Sequence, residues 1–197
     1  MELLENLKTN KRMMIIAIVS IIIFLIIFYF AVYYRSPKDK IKDFFFNQGF
    51  VLEDDNYFKT ISSTDIDSYY EKVDNGEDAH CEEWYFNPQT NQMLGNILYH
   101  YSEYSSFFTP NYNYKTGDLN YSMEMNITDS KVIFTGNYNK SLDSFTCNIN
   151  NSDNLELSDD NKETICQNIK DDAANFASDV TSIFSSDQEI LKRITKN

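Results

Sequence analysis

The chain has 197 residues, of which 42% are hydrophobic and 15% aromatic, and its formal net charge is −13. This excess of Asp and Glu argues against a nucleic-acid partner, because phosphates are bound by clustered Lys and Arg. With five Gly and no P-loop, G-x-G-x-x-G, H-E-x-x-H or G-x-S-x-G motif, the sequence indicates no phosphate-binding loop and no catalytic, cofactor or metal site.

Residues 13–34 form an uncharged run dominated by Ile, Phe and Tyr. At ~1.5 Å per residue, a helix of this length crosses the roughly 30 Å hydrocarbon core of a bilayer. The run is longer than the apolar region of a cleaved signal peptide and ends without a small-residue cleavage pattern. The sequence therefore predicts an uncleaved single transmembrane helix that contacts the lipid bilayer through residues 13–34.

The charges that flank this run do not orient it, because basic residues lie on both sides. Residues 43–197 contain ten Lys or Arg and twenty-seven Asp or Glu, and they are rich in Asn, Ser, Tyr and Asp and poor in Ala and Gly, a composition typical of a secreted surface. We therefore expect the large C-terminal part to lie outside the cell membrane. The predicted organisation is a short cytoplasmic tail (1–12), a transmembrane helix (13–34), a juxtamembrane helix (35–49) and an extracytoplasmic α+β domain (50–197).

The juxtamembrane helix has recognisable ends. Ser36 and Pro37 are typical of a helix start, and Gly49 suits the left-handed residue that ends a helix. Two short strands are predicted over residues 50–61, followed by a short helix over residues 63–73. The domain therefore opens with a helix, a hairpin and a second helix.

A β-rich region follows. Residues 81–86 and 92–104 flank an Asn-Pro-Gln-Thr-Asn turn and predict a hairpin. Residues 109–118, which include Pro110, are predicted to form a loop. Strict alternation of apolar and polar residues over 119–127 predicts a half-buried strand.

Strands over residues 131–138 and 144–149 continue this antiparallel meander. Ser158 and two acidic residues begin a long helix, whose apolar residues recur every three or four positions as far as Ile183. Ser185 is predicted to begin a last short helix. The expected fold is α+β: an N-terminal single transmembrane helix, then an antiparallel β-meander packed against a C-terminal amphipathic helix.

An aromatic run is the best candidate for a binding surface. It comprises Tyr99, Tyr101, Tyr104, Phe107, Phe108, Tyr112 and Tyr114. Its second half, Phe107, Phe108, Tyr112 and Tyr114, runs from just before the predicted loop into it, where exposed aromatic side chains often contact a protein partner, a glycan or a membrane. The competing interpretation is that these rings fold back onto the core.

Three Cys residues allow one disulfide. Cys147 shares a strand face with Phe145 and Ile149, and Cys166 lies at the edge of the apolar stripe of the long helix. Outside the cytoplasm this pair could close a loop of about 20 residues and stabilise the fold by on the order of 3 kcal/mol. The alternative is that both remain buried free thiols.

The leading functional interpretation is a membrane-anchored protein with a non-catalytic extracytoplasmic binding domain. One alternative is a membrane-tethered hydrolase or thiol enzyme that uses Cys81 with His80 or His100. Adjacent strand residues point to opposite faces, which argues against the pairing of His80 with Cys81. A second alternative is a small-ligand carrier, if the meander and the C-terminal helix enclose a cavity.

Overall fold

The computed structural model of the chain describes residues 15, 18–30, 36–127, 130–151 and 157–187. These residues belong to two compact units, Met1–Ile41 and Lys42–Asn197. The last predicted helix, beyond residue 187, lies outside the described residues.

In the first unit, residues 18–30 are helical and their large apolar side chains are exposed, with Phe24 at 66%. Residues 13–14, 16–17 and 31–34 of the predicted membrane segment lie outside the described residues. Among the described helices none combines the length and the apolar character that crossing a bilayer requires. The transmembrane helix predicted over residues 13–34 is therefore not supported by the described part of the chain.

Three further helices and nine strands follow in the described residues. The helices are α1 (Pro37–Asn47), α2 (Ile66–Asp74) and α3 (Asp159–Ser185). The strands are β1 (Val51–Glu53), β2 (Asn56–Thr60), β3 (Ala79–Asn87), β4 (Gln92–His100), β5 (Tyr104–Asn113), β6 (Asp118–Ile127), β7 (Ser130–Asn139), β8 (Ser144–Phe145) and β9 (Asn148–Asn151).

Helix starts follow the local rules of capping. The Ser36 hydroxyl accepts a hydrogen bond from the Asp39 amide, and the Ser36 amide donates one to the Asp39 carboxylate. Ser158 accepts from the amide of Asn161 at the start of α3, as predicted. Helix α2 begins three residues later than expected, because Asp65 is its cap and accepts from the amide of Ser68.

The strands form one antiparallel sheet in which β1 to β8 are neighbours in chain order and β9 also pairs with β7. This arrangement, with α3 after the sheet, confirms the predicted α+β fold with an antiparallel meander and a C-terminal helix. The strand predicted over 92–104 is divided by a turn at residues 101–103. The loop predicted over 109–118 is wrong, because β5 continues to Asn113 and pairs with β6 along its length.

The two faces of the sheet have different coverings. Helix α3 packs on one face through six buried residues, which are Ile169, Ala173, Phe176, Ala177, Val180 and Phe184. We call this the helix-covered face. The opposite face, the open face, is covered at one end by α2, where Tyr69, Ala79 and Cys81 form a small buried cluster.

An aromatic cluster fills the core beneath the end of α3. The ring of Phe45 lies 4.7 Å from that of Phe86, 4.2 Å from that of Tyr57 and 5.8 Å from that of Phe184, between ring centres. Phe45 and Phe86 are fully buried. Burial of such rings supplies a large share of the hydrophobic stabilisation of a small domain. The aromatic cluster fixes the C-terminal end of α3 against the sheet. The N-terminal half of the helix lies over a pocket.

Candidate functional site

The pocket lies between the first half of α3 and the helix-covered face of the sheet, and its volume is about 350 Å³. Tyr99, Tyr101 and Tyr104 form one wall, at the turn between β4 and β5. Met123 and Met125 of β6 form the floor. We call this the tyrosine pocket. Its volume falls within the range of small-molecule sites, about 300–1,000 Å³.

Sheet geometry places these side chains together. Tyr104 pairs with Ile127, so residues 104, 106 and 108 of β5 share a face with residues 123, 125 and 127 of β6. Phe108 is buried beneath the pocket. The turn is closed by a backbone hydrogen bond of 2.9 Å from Tyr101 to Tyr104, which brings the two rings to 5.2 Å between centres.

Tyr99 is the innermost ring of the wall. It is nearly parallel to Tyr101, at 6.3 Å and 9°, and on its other side it stacks on His80 at 4.4 Å and 4°. The pKa of Tyr99 is raised to about 12, mainly by burial and in smaller part by the negative charges of Asp172 and Glu82. The Tyr99 hydroxyl is therefore neutral at physiological pH and faces an acidic environment.

Two adjacent carboxylates of α3 form the opposite wall. Asp171 accepts a hydrogen bond of 2.9 Å from Gln167, one turn earlier on the helix. Asp171 and Asp172 are both exposed residues, but partial desolvation raises the pKa of Asp172 above its ordinary value, and the negative charges of Asp171 and Glu82 raise it too. Because none of the residues that line the pocket is Lys, Arg or His, its electrostatic character is negative.

The chemical groups of the pocket lining come from a few residue types. The lining contains hydroxyl, carboxylate and thioether groups but no Cys and no His against a Ser. Within the described ranges, no group of three or more His, Cys, Asp or Glu residues is arranged to hold a metal ion. The open pocket can contact a small molecule through aromatic rings on one side and carboxylates on the other.

The four predicted binding residues do not form one surface. Phe108 and Tyr112 are 2% and 8% exposed and belong to the core beneath α3. Tyr114 packs on Phe184 at 4.3 Å between ring centres. Phe107, 39% exposed, lies on the open face. Phe107 is separated from the other three because alternate side chains of a strand face opposite ways, and the other three pack toward α3.

The geometry around Cys81 does not favour thiol chemistry. Cys81 is fully buried under α2, and burial raises the pKa of its thiol to about 11, with Glu83 adding to the effect. His80 lies on the helix-covered face, because it pairs with Tyr99, whereas Cys81 pairs with Leu98. His100 pairs with Ala79, two residues from Cys81 along the strand. A nucleophilic cysteine needs the opposite shift, toward the thiolate.

The predicted cysteine pair is found at disulfide distance. The sulfur atoms of Cys147 and Cys166 are 2.06 Å apart and their Cα atoms 6.0 Å apart. Cys147 lies between β8 and β9, where the predicted strand 144–149 is interrupted. The bond joins the last strands of the sheet to the first turns of α3, close to the tyrosine pocket.

Sequence reasoning identified the three tyrosines of the pocket only as members of a longer aromatic run. It missed Met123, Met125, Asp171 and Asp172. The alternation of residues 119–127 shows that both methionines face the same side as Leu119. The contribution of α3 depends on its position over the sheet, for which the sequence carries no local signal.

Comparisons with known proteins found no relative of this chain. No protein-family model matches the chain, and no curated protein or solved structure matches it either.

Proposed function

We propose that the chain is a single-pass membrane protein whose C-terminal domain lies outside the cytoplasm and binds a small ligand in the tyrosine pocket. The observation that carries the binding function is the pocket itself, walled by aromatic rings on the sheet and carboxylates on α3. The proposed role is that of a receptor or carrier domain without catalytic activity. It combines two interpretations of the sequence, a binding domain and a small-ligand carrier.

Membrane attachment is supported by the composition of residues 13–34, which contain no charged residue. Every large apolar side chain described between Val19 and Phe30 is at least 47% exposed. Soluble surfaces rarely expose a continuous apolar patch of this kind, because removing it from water is favourable. Contact with lipid acyl chains removes it from water.

The extracytoplasmic location is supported by two features. The Cys147–Cys166 pair is at disulfide distance, and disulfides persist mainly in oxidising compartments. The acidic balance of residues 43–197 is typical of secreted surfaces. Phe107 is 39% exposed on the open face, and it is the proposed contact for the protein or glycan partner that the sequence predicts.

Labelling of intact cells tests the location. The full chain with Leu142→Cys carries a thiol at a site that is 74% exposed. A membrane-impermeant maleimide is expected to label this variant in intact cells and to label Asn10→Cys only after lysis. The reverse pattern would place the domain in the cytoplasm and refute this part of the proposal. Release of the chain by alkaline carbonate would refute membrane anchoring.

Methionine methyl NMR tests the pocket. In the full chain, in maltoside micelles, ¹³C-methyl signals of Met123 and Met125 report on the pocket and that of fully buried Met93 serves as the internal control. Three isosteric probes are titrated: choline, 3,3-dimethylbutan-1-ol and 3,3-dimethylbutanoate. At least one is expected to shift the two pocket signals in a saturable manner without moving Met93. No saturable shift with any probe at millimolar concentration, and no shift in phosphatidylcholine nanodiscs, would refute ligand binding here.

A further inference from the structure

We infer that the tyrosine pocket selects a small organic cation, a molecule that carries an alkylammonium group. This inference rests on the proposed binding function and names the class of its ligand. The features that carry it are the ring arrangement of Tyr99, Tyr101 and Tyr104, the carboxylates of Asp171 and Asp172, and the absence of any cationic residue among those that line the pocket.

The rings provide the first half of the recognition. Tyr101 and Tyr104 are each 38% exposed, so the side chains are accessible from the pocket and not packed into the core. Their rings are tilted by 42° at 5.2 Å, and Tyr99 continues the wall behind Tyr101. An ammonium group within about 6 Å of a ring centre is attracted to the negative face of the ring. Adjoining tyrosine rings offer several such faces to one cation.

The carboxylates provide the second half. Asp171 and Asp172 line the wall of α3 across from the tyrosines, and Glu82 acts on both Asp172 and Tyr99 from β3. These negative charges repel one another in a partly desolvated site, and a bound cation would relieve the repulsion. The described lysines nearest in sequence are engaged elsewhere: Lys162 pairs with Asp159, and Lys170 lies over Phe145.

The same charges disfavour anionic and neutral ligands relative to a cation. An anion would enter a site that already holds two carboxylates on one wall, which costs Coulomb energy at short distance. A neutral molecule of the same shape could contact the rings and the thioethers of Met123 and Met125 but would leave the carboxylate repulsion in place. Discrimination in favour of the cation is therefore expected to come from charge and not from shape.

The three isosteric probes separate charge from shape. Choline, 3,3-dimethylbutan-1-ol and 3,3-dimethylbutanoate have similar outlines and differ in net charge. Choline is expected to shift the Met123 and Met125 methyl signals with an affinity at least ten-fold higher than that of the neutral alcohol, and the carboxylate is expected not to bind. Equal affinity for choline and the alcohol would overturn the inference while leaving the proposed binding function intact. Binding by none of the three, together with no shift in phosphatidylcholine nanodiscs, would remove both.

Variants locate the interaction. Asp172→Asn is expected to weaken choline binding about ten-fold and to leave binding of the neutral alcohol unchanged, because it removes charge at nearly constant volume. Asp179→Asn is the matched control: Asp179 is exposed, as Asp172 is, but it lies two turns further along α3, outside the pocket. Tyr101→Ala is expected to weaken binding of choline, whereas Tyr70→Ala removes an exposed ring on α2 and is expected to change nothing. Equal effects of Asp172→Asn and Asp179→Asn would contradict a specific site.

An alkylammonium group is carried by free metabolites and by choline headgroups alike. Nanodiscs with and without phosphatidylcholine distinguish these sources for the full chain. Saturation by choline in phosphatidylglycerol nanodiscs identifies a free cation as a sufficient ligand. Shifts of Met123 and Met125 that appear only with phosphatidylcholine, and that Asp172→Asn abolishes, identify a headgroup. Shifts that persist in Asp172→Asn would refute recognition through the carboxylates.

Discussion

Phe176 of α3 lies directly over Gly95 of β4. A Cβ atom at Gly95 would stand 2.7 Å from Cε2 of Phe176 and 2.9 Å from Cγ of Pro110. Phe176 is 3% exposed, and its ring is held against Trp84 at 5.0 Å between centres. The missing side chain of Gly95 is therefore what allows the long helix to approach the centre of the sheet. This approach fixes the spacing between α3 and the sheet near the tyrosine pocket.

Gly95→Ala is expected to destabilise the domain by about 1–3 kcal/mol, because the ring of Phe176 and the ring of Pro110 cannot both move away. Chemical denaturation of the full chain in micelles, followed by Trp fluorescence, measures the change. The control is a double-mutant cycle with Phe176→Leu, in which the smaller side chain makes room for the added methyl group. The double variant should be more stable than the sum of the two single changes predicts. Strict additivity would show that the two residues are not coupled.

The Cys147–Cys166 pair predicts a redox-dependent stability. The two residues are 19 positions apart, and a bond across a loop of this length restricts the unfolded chain enough to stabilise the fold by about 3 kcal/mol. Addition of dithiothreitol should lower the unfolding midpoint of the natural sequence. It should leave the midpoint of the Cys147→Ser, Cys166→Ser double variant unchanged. Non-reducing peptide mapping that links Cys81 to either residue would contradict the pairing.

The fold was predictable from the sequence where the signal is local. The strand at 118–127 follows from alternating residue types, and α3 follows from the Ser158 cap and a periodic apolar face. The strand through Pro110 was not predictable, because proline inside a sheet normally indicates a break. Its ring is accommodated by Gly95 on the neighbouring strand, a contact that becomes visible only with the register.

The candidate site was predictable only in part, and for the same reason. Tyr99, Tyr101 and Tyr104 are conspicuous in the sequence, but their position in a pocket depends on the turn that joins β4 to β5. Asp171 and Asp172 resemble any other exposed acidic pair of a helix until α3 is placed on the sheet. Site recognition therefore required contacts between residues about 70 positions apart.

The buried thiol of Cys81 is expected to make the chain less stable at alkaline pH. Burial raises the pKa of its thiol from 9.0 to about 11, so the folded state retains the proton over a range in which the unfolded chain loses it. This contribution to stability is complete below about pH 9 and is lost as the pH rises through 11. The free energy of unfolding should therefore decline across this window, and the decline should be shallower in Cys81→Ala. Alkylation of the native chain by iodoacetamide at pH 8 should also be slow. Rapid native-state alkylation would show that the thiol is accessible and ionised.

Replacement of Asp172 is expected to increase the stability of the chain and to weaken ligand binding. Its pKa is raised above 3.8, first by burial and then by Asp171 and Glu82, so its ionised form is disfavoured in the folded state. The stability contribution of a group whose pKa is raised is present below the unfolded pKa and lost as the pH rises through the folded value. Asp172→Asn should therefore increase the free energy of unfolding at pH 7 and change it little near pH 3.

The measurement is denaturant unfolding of the full chain at the two pH values without added ligand, with Asp179→Asn as the charge-matched control. Asp179 lies on the same helix but outside the pocket, so its replacement should leave the difference between pH 7 and pH 3 unaltered. If Asp172 merely supported the fold, its replacement would lower the free energy of unfolding of the chain. A variant that is more stable yet binds choline more weakly is instead the expected behaviour of a carboxylate held in place for a cationic ligand. Destabilisation by Asp172→Asn at pH 7 would indicate a structural role and contradict this assignment.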